Sequence, residues 1–207
     1  MADRPVIVTF FEQYGAGASR IAPRVAERLG IPFVEQAISS EQMESIEAAD
    51  HDPGPFMRFL MSFGGSGVDD GLGAMMGQQT DYELVMENTR AVLAATENGG
   101  VVLGRNATII LRKIPTALHV KLSGPLQHRV SHAAAEAGID LERAAARQQR
   151  EDRVRAELSQ RLYRWDPRDD GHFDLVVNTG SFPMDDVVDM IVDASHRKCT
   201  QADASVG

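Results

Sequence analysis

Short apolar runs alternate along the chain with longer stretches whose apolar residues have helical spacing. The first run, VIVTFF at residues 6–11, is β-branched and aromatic, which indicates a buried strand. A helical pattern follows, and Gly30 with Pro32 close behind predicts its end. Its apolar positions are Ile21, Val25, Ala26 and Leu29. The chain therefore begins with a strand, a glycine-containing loop and a helix.

The remainder of the chain continues this alternation. Further strands are predicted in IPFVE, GGVVLG, TALHVKLS and FDLVVNTG. Helices are predicted at residues 41–50, 81–97, 125–138, 140–163 and 183–197. Strands that alternate with helices are typical of a parallel sheet covered by helices on both faces, so the pattern predicts an α/β fold.

The length and composition favour one globular unit. With 207 residues, of which 43% are hydrophobic and 25% charged, we expect a single domain over residues 1–199 and a disordered tail at 200–207. Segment 62–79 holds six of the 18 glycines, and we predict that it is mobile and closes over a bound acceptor.

Charge and hydropathy limit the kinds of partner. A formal net charge of -9 argues against a protein that mainly binds nucleic acid. No apolar run approaches the roughly 20 residues needed to span a bilayer, so we expect no membrane partner. A single cysteine fits a reducing compartment, and we expect a cytoplasmic protein whose oligomeric state the sequence leaves open.

The loop after the first strand, EQYGAGAS at residues 12–19, partly matches the phosphate-binding pattern GxxxxGK[ST]. In that pattern backbone N–H groups hold phosphate oxygens, the lysine reaches the outer phosphates and the hydroxyl binds magnesium. Glycines and the serine are kept, whereas Glu12 replaces the first glycine and Ala18 replaces the lysine. The predicted phosphate-binding residues are Gly15, Ala16, Gly17, Ala18 and Ser19.

The loop keeps the geometry of an anion site but lacks its cation. Ser19 is the candidate Mg²⁺ ligand. Arg20 is the nearest replacement for the lysine, although the helix turns it about 200° away from Ala18. The alternative is that the glycines serve only tight packing of a helix against a sheet.

Arginines are concentrated at two further places. Gly104 and Arg105 follow a predicted strand at its carboxyl end, where open α/β sheets bind ligands. Residues 143–165 form an arginine-rich helical stretch that includes Arg153, Arg155 and Arg161. A solvated helix face with i,i+4 ion pairs also explains such a stretch, and an arginine paired with a neighbouring carboxylate also explains Arg105.

Several segments in order resemble the cytidylate kinase-like family over roughly residues 6–195. They are the YGAG loop core, VVLGRNATIIL, PLQHRV, DRVRA and FDLVVNTGSF. The resemblance implies a three-layer P-loop kinase fold with a five-stranded parallel sheet, helices on both faces and an arginine-bearing lid. It also implies ATP with Mg²⁺ at the first loop and a nucleoside monophosphate opposite.

The resemblance assigns roles to individual residues. Gly104 and Arg105 match a pair whose arginine grips the acceptor phosphate, and Asp152 with Arg155 matches a D-x-x-R lid motif. Arg153 and Arg161 are further lid candidates, Arg161 on the substrate side.

Two other residues match positions near a bound nucleotide, Arg129 as a substrate-binding candidate and Asn178 as a candidate for binding ATP. Arg129 matches a basic position near the base or the phosphates, with a surface arginine as the alternative. Asn178 matches a position that borders the adenine, with turn formation as the alternative.

The chain also departs from the family pattern. Glu12 and Ser19 stand where the family has arginines flanking the loop, and Leu103 and Asn106 stand in acidic positions. Two functions therefore remain. One is ATP-dependent phosphoryl transfer to a nucleoside monophosphate, with CMP or dCMP as the natural acceptor; the other is a nucleotide-binding regulatory module without turnover.

Overall fold

The computed structural model describes residues 5–35 and 81–204. The strands in this part are β1 (Ile7–Glu12), β2 (Phe33–Val34), β3 (Gly100–Leu103), β4 (Ala117–Ser123) and β5 (Leu175–Asn178). The helices are α1 (Ala18–Leu29), α2 (Asp81–Ala95), α3 (Ala107–Ile110), α4 (Leu126–Ala137), α5 (Leu141–Tyr163) and α6 (Met184–Ala204). A short 3₁₀ turn covers Asp170–His172.

The five strands form one parallel sheet in the order β2-β3-β1-β4-β5. Strand β1 lies at the centre, with Phe10 opposite Leu103 of β3 and Glu12 opposite Leu122 of β4. Because the strands are parallel, the segments that follow β1, β3 and β4 all leave from the same edge of the sheet. The α/β fold predicted from the alternating pattern is confirmed.

Helices cover both faces of the sheet. On one face, buried residues of β1 pack with residues of α1 and α6, among them Val8, Val25 and Ile191. On the other face, Ile7 and Val102 pack with Val92 of α2. Since both faces are buried, the strands read as continuous apolar runs, which is why they were recognisable in the sequence.

The element boundaries agree with the sequence pattern in most places. Helix α1 ends at Gly30, which has a φ of 65°, and the arginine-rich stretch forms the single helix α5. Helix α6 continues to Ala204, so residues 200–204 of the expected tail are helical, and 205–207 lie outside the described residues. The predicted helix 41–50 and the glycine-rich segment 62–79 also lie outside them. In the described part, no helix is both long and apolar enough to cross a membrane.

The loop after β1 packs directly against the backbone of α4. Gly15 has a φ of 80°, and a Cβ added to it would lie 2.2 Å from the carbonyl oxygen of Arg129. Gly138, at the end of α4, has a similar φ of 64°, but an added Cβ would meet nothing within 4 Å. The two glycines therefore separate the cost of a left-handed backbone from the cost of a steric clash.

We expect Gly15→Ala to destabilise the protein more than Gly138→Ala. Both alanines must adopt a left-handed backbone, at a cost of about 1–2 kcal/mol, while Gly15→Ala also forces the loop away from α4, which adds about 1–3 kcal/mol. Urea denaturation of both variants measures the difference in the free energy of unfolding. If the two variants lose the same free energy of unfolding, the loop does not pack against α4 as described.

Candidate functional site

The side chain of Glu12 occupies the amino end of α1. Gly17, the N-cap residue, has a φ of 86° and no side chain to cap the helix. The backbone N–H of Ala18 instead donates to Oε2 of Glu12 at 2.8 Å. The first N–H groups of a helix have no partner within the helix and attract anions. The carboxyl group of Glu12 therefore takes the place of a helix cap at a position that attracts anions.

Burial raises the pKa of Glu12 from 4.5 to about 7. The positive charge of Arg155 and the N–H of Ala18 act in the opposite direction, and the nearby carboxylates of Glu151 and Glu136 add a small further increase. The charge on Glu12 therefore changes near neutral pH.

The loop is held from behind by two helices through the backbone of Tyr14. Its N–H donates to Oδ1 of Asp152 on α5 at 2.8 Å, and its carbonyl oxygen accepts from Nη1 of Arg129 on α4 at 2.8 Å. Arg129 and Asp152 also pair with each other at 3.1 Å. Arg129 is only 5% exposed, so the surface alternative for this residue is wrong, and its guanidinium supports the loop.

Arg155 is the one of the three arginines predicted for a lid that contacts the loop in the described part of the chain. Its Nη2 pairs with the fully buried carboxylate of Glu151 at 2.7 Å, and its Nη1 donates to the carbonyl oxygen of Glu12 at 3.4 Å. Arg153 and Arg161 lie on the same helix with exposed side chains. Arg155 therefore places a positive charge beside the loop that lacks a lysine.

Ser19 and Arg20 begin the exposed side of α1. The hydroxyl of Ser19 donates to Oε1 of Glu136 on α4 at 3.0 Å. Arg20 is exposed and forms no hydrogen bond or ion pair with another described residue. The structure thus keeps Ser19 at the loop, while the role predicted for Arg20 stays a prediction.

A second site lies where β3 ends, in a turn formed by Gly104, Arg105 and Asn106. Their φ values are 70°, 55° and 55°, so three successive residues have a left-handed backbone. The Nε of Arg105 donates to the carbonyl oxygen of Glu35 at 2.8 Å, and burial lowers the pKa of its guanidinium. No carboxylate pairs with Arg105 among residues 5–35 and 81–204. We refer to residues 104–106 as the acceptor turn, after the role predicted for Arg105 from the sequence.

Asn178 lies at the end of β5 and forms a turn. Its Oδ1 accepts from the N–H of Gly180 at 3.0 Å, which is the turn formation named above as the alternative. The side chain is exposed at the edge that also carries the loop and the acceptor turn. Its predicted contact with the adenine stays a prediction.

The residues around the acceptor turn were not predicted from the sequence, and neither were Glu136 and Glu151 beside the loop. Asn88, Ser159, Tyr163 and Trp165 surround the acceptor turn. Only Trp165, the single tryptophan in the chain, carried a compositional signal. Their partners are far away in the sequence, so spacing alone did not connect them.

The chain belongs to the cytidylate kinase-like family, whose sequence model matches residues 7–181. The matched range includes both the loop after β1 and residues 104–106.

Two solved structures share the fold at low sequence identity. An uncharacterized protein from Eubacterium ventriosum is 18% identical with a TM-score of 0.66, over 92% of this chain and 98% of the other. A gluconokinase from Sinorhizobium meliloti is 16% identical with a TM-score of 0.55, over 99% and 100%. Both likenesses concern the fold.

A curated relative matches a shorter segment. A uronate isomerase from Corynebacterium glutamicum is 36% identical over 144 residues, which is 69% of this chain. The match covers 28% of that relative, so the chain spans about a quarter of its length.

The titration of Glu12 predicts a pH dependence of stability. Because the folded protein holds this proton with a pKa of about 7 and the unfolded chain with one near 4.5, folding binds a proton between these values. The free energy of unfolding contributed by Glu12 therefore falls as the pH rises from about 4.5 to about 7. We expect Glu12→Gln to remove this fall.

Urea denaturation at several pH values measures the effect. Glu142→Gln is the matched control, because Glu142 is exposed on α5 and lies outside the loop. Wild-type and Glu12→Gln stabilities that stay parallel across this pH range would contradict a carboxyl group buried in the loop.

Proposed function

We propose that the protein transfers a phosphoryl group from ATP to a nucleoside monophosphate, with CMP or dCMP as the acceptor. The observation that carries the proposal is the occupied anion site: a carboxylate sits on the Ala18 N–H at 2.8 Å, with the Arg155 guanidinium beside it. A site that binds a carboxylate in this way has the donors that a phosphate needs. Membership of the cytidylate kinase-like family supports the same activity.

The donor side uses the loop and the start of α1. ATP supplies the phosphoryl group, and its phosphates would bind the backbone N–H groups of Gly15, Gly17 and Ala18 once the Glu12 carboxylate has moved away. The N–H of Ala16 is not part of this set, because it donates to the carbonyl oxygen of Gln13 at 3.0 Å. Ser19 would hold Mg²⁺ with its hydroxyl, which in this state donates to Glu136. Glu12 thus occupies the Ala18 N–H until a phosphate, which carries more negative charge, replaces it.

Arg155 supplies the positive charge that the lysine of a phosphate-binding loop would otherwise supply. Phosphoryl transfer depends on positioning and on cations that follow the developing charge, so no general base is required. Arg155 is held by the buried Glu151 and reaches the carbonyl oxygen of Glu12, close to the helix end where the phosphates would bind. Arg105 holds the acceptor phosphate at the end of β3.

A nucleotide-binding module without turnover is the second candidate. It is favoured by the same Glu12 contact, because a carboxylate at the amino end of α1 opposes phosphate binding, and Ala18 offers no cation in its place. The two functions differ in product: both bind nucleotide, and only the kinase forms nucleoside diphosphate.

We expect Arg155→Ala to lower turnover by about 10² to 10³-fold, the cost of removing one electrostatic stabiliser, with a much smaller effect on ATP binding. Product formation from ATP and CMP measures turnover, and calorimetry measures ATP binding. Arg112→Ala is the control, because Arg112 is exposed and outside the site.

The wild-type protein decides between the two candidates in the same assay. We expect purified protein to bind ATP in either case. If it forms no nucleoside diphosphate from CMP, dCMP or another common nucleoside monophosphate at high enzyme concentration, the kinase proposal is wrong and the binding module is correct. If Arg155→Ala turns over at the wild-type rate, Arg155 has no role in the mechanism, although the kinase activity itself is confirmed.

A further inference from the structure

We propose that Asn106 is a positioning residue for the acceptor phosphate: it fastens the acceptor turn to the end of α5 and so holds Arg105 ready for an anion. The inference rests on the proposed function for the identity of the ligand, a nucleoside monophosphate. It concerns a different residue from those that contact the ligand.

The acceptor turn has a conformation that needs support from outside. Arg105 has a Cβ and a φ of 55°, and a left-handed backbone costs an ordinary residue about 1–2 kcal/mol. Glycine tolerates this backbone freely and asparagine more readily than most residues, which suits Gly104 and Asn106 but not Arg105. Contacts around the turn must therefore hold Arg105 in place.

Asn106 supplies one of these contacts with its side chain. It precedes the short helix α3, where an asparagine would ordinarily cap the helix, but its side chain makes no cap hydrogen bond. Its Oδ1 instead accepts from Nε1 of Trp165 at 2.8 Å and lies 2.7 Å from Oγ of Ser159. Because the indole N–H can only donate, Oδ1 is an acceptor, and the single hydroxyl proton of Ser159 points to it rather than to the carbonyl oxygen of Arg155, which also lies 2.8 Å from Oγ. Ser159 lies in the last turns of α5, and Trp165 follows that helix closely.

The backbone of Arg105 is fastened to the same region. Its carbonyl oxygen accepts from Nδ2 of Asn88 on α2 at 2.8 Å, and Nδ2 of Asn88 also donates to the hydroxyl of Tyr163 at 2.6 Å. Tyr163 is the last residue of α5. Two connections therefore run from the acceptor turn to one end of this helix.

This fastening leaves the guanidinium of Arg105 arranged for a ligand. Its Nε is fixed on the Glu35 carbonyl oxygen, while Nη1 and Nη2 have no hydrogen-bond partner in the ranges that the structure describes. Such a fork matches the oxygens of a phosphate monoester. The same helix carries Arg155 at the donor loop, so α5 connects the two sites that must approach each other.

The test compares variants of Asn106 that separate its side-chain contacts from its backbone. Asn106→Gly removes the Oδ1 contacts but still permits the left-handed backbone, whereas Asn106→Asp keeps an acceptor oxygen for Ser159 and Trp165. Ser159→Ala removes one of the two donors. CMP binding is measured by calorimetry at one fixed pH, and emission of Trp165, the single tryptophan, reports the contact directly.

We expect Asn106→Gly to weaken CMP binding about 10-fold, because a charged hydrogen-bonding fork is no longer held in position. Asn106→Asp should bind CMP within about twofold of wild type and keep the wild-type Trp165 emission, and Ser159→Ala should lie between the two. In turnover, the Asn106→Gly loss should appear as a higher KM for CMP with a much smaller change in kcat.

Other outcomes overturn the inference. Asn106→Gly with wild-type CMP affinity, or Asn106→Asp no better than Asn106→Gly, contradicts positioning by Asn106. If Asn106→Gly does not fold, Ser159→Ala takes its place in the test, and wild-type CMP affinity in that variant contradicts positioning by Asn106. If Arg105→Ala binds CMP like wild type, the inference is wrong, and Arg105 is not part of the proposed acceptor site. The kinase activity itself is tested separately, by product formation.

Discussion

The backbone N–H groups at the amino end of α1 need an acceptor, and the site depends on how the chain meets this need. Gly17 cannot cap the helix, so the carboxylate of Glu12 accepts from Ala18 across the loop. Burial in this position raises the pKa of Glu12 to about 7, which makes its charge adjustable near neutral pH. Glu12, which departs from the phosphate-binding pattern, therefore also holds the loop in its observed conformation.

Helix α5 connects the parts of the site. Its middle holds Tyr14 of the loop through Asp152 and places Arg155 beside Glu12. Its end holds the acceptor turn through Ser159 directly and through Tyr163 by way of Asn88. A movement of this helix would therefore move the loop after β1 and the acceptor turn together, as the proposed phosphoryl transfer would require.

The sheet and most helices could be predicted because buried parallel strands and amphipathic helices leave periodic patterns in the sequence. The loop between β1 and α1 could be predicted from Gly15, Gly17 and the helix that follows. The direction of the Glu12 side chain could not, since a carboxylate in this position can point toward or away from the loop. The contact of Asp152 with Tyr14 joins residues 138 positions apart, and local spacing carries no information about it. The left-handed backbone of Arg105 was equally hidden, because the residue type disfavours it.

A crystal structure of the wild-type protein with a non-hydrolysable ATP analogue and Mg²⁺ would show whether a donor phosphate replaces the Glu12 carboxylate. We expect phosphate oxygens on the N–H groups of Gly15, Gly17 and Ala18, the Glu12 side chain turned out of the loop and Arg155 near the phosphates. A nucleotide bound elsewhere, with Glu12 still accepting from the Ala18 N–H, would contradict this expectation.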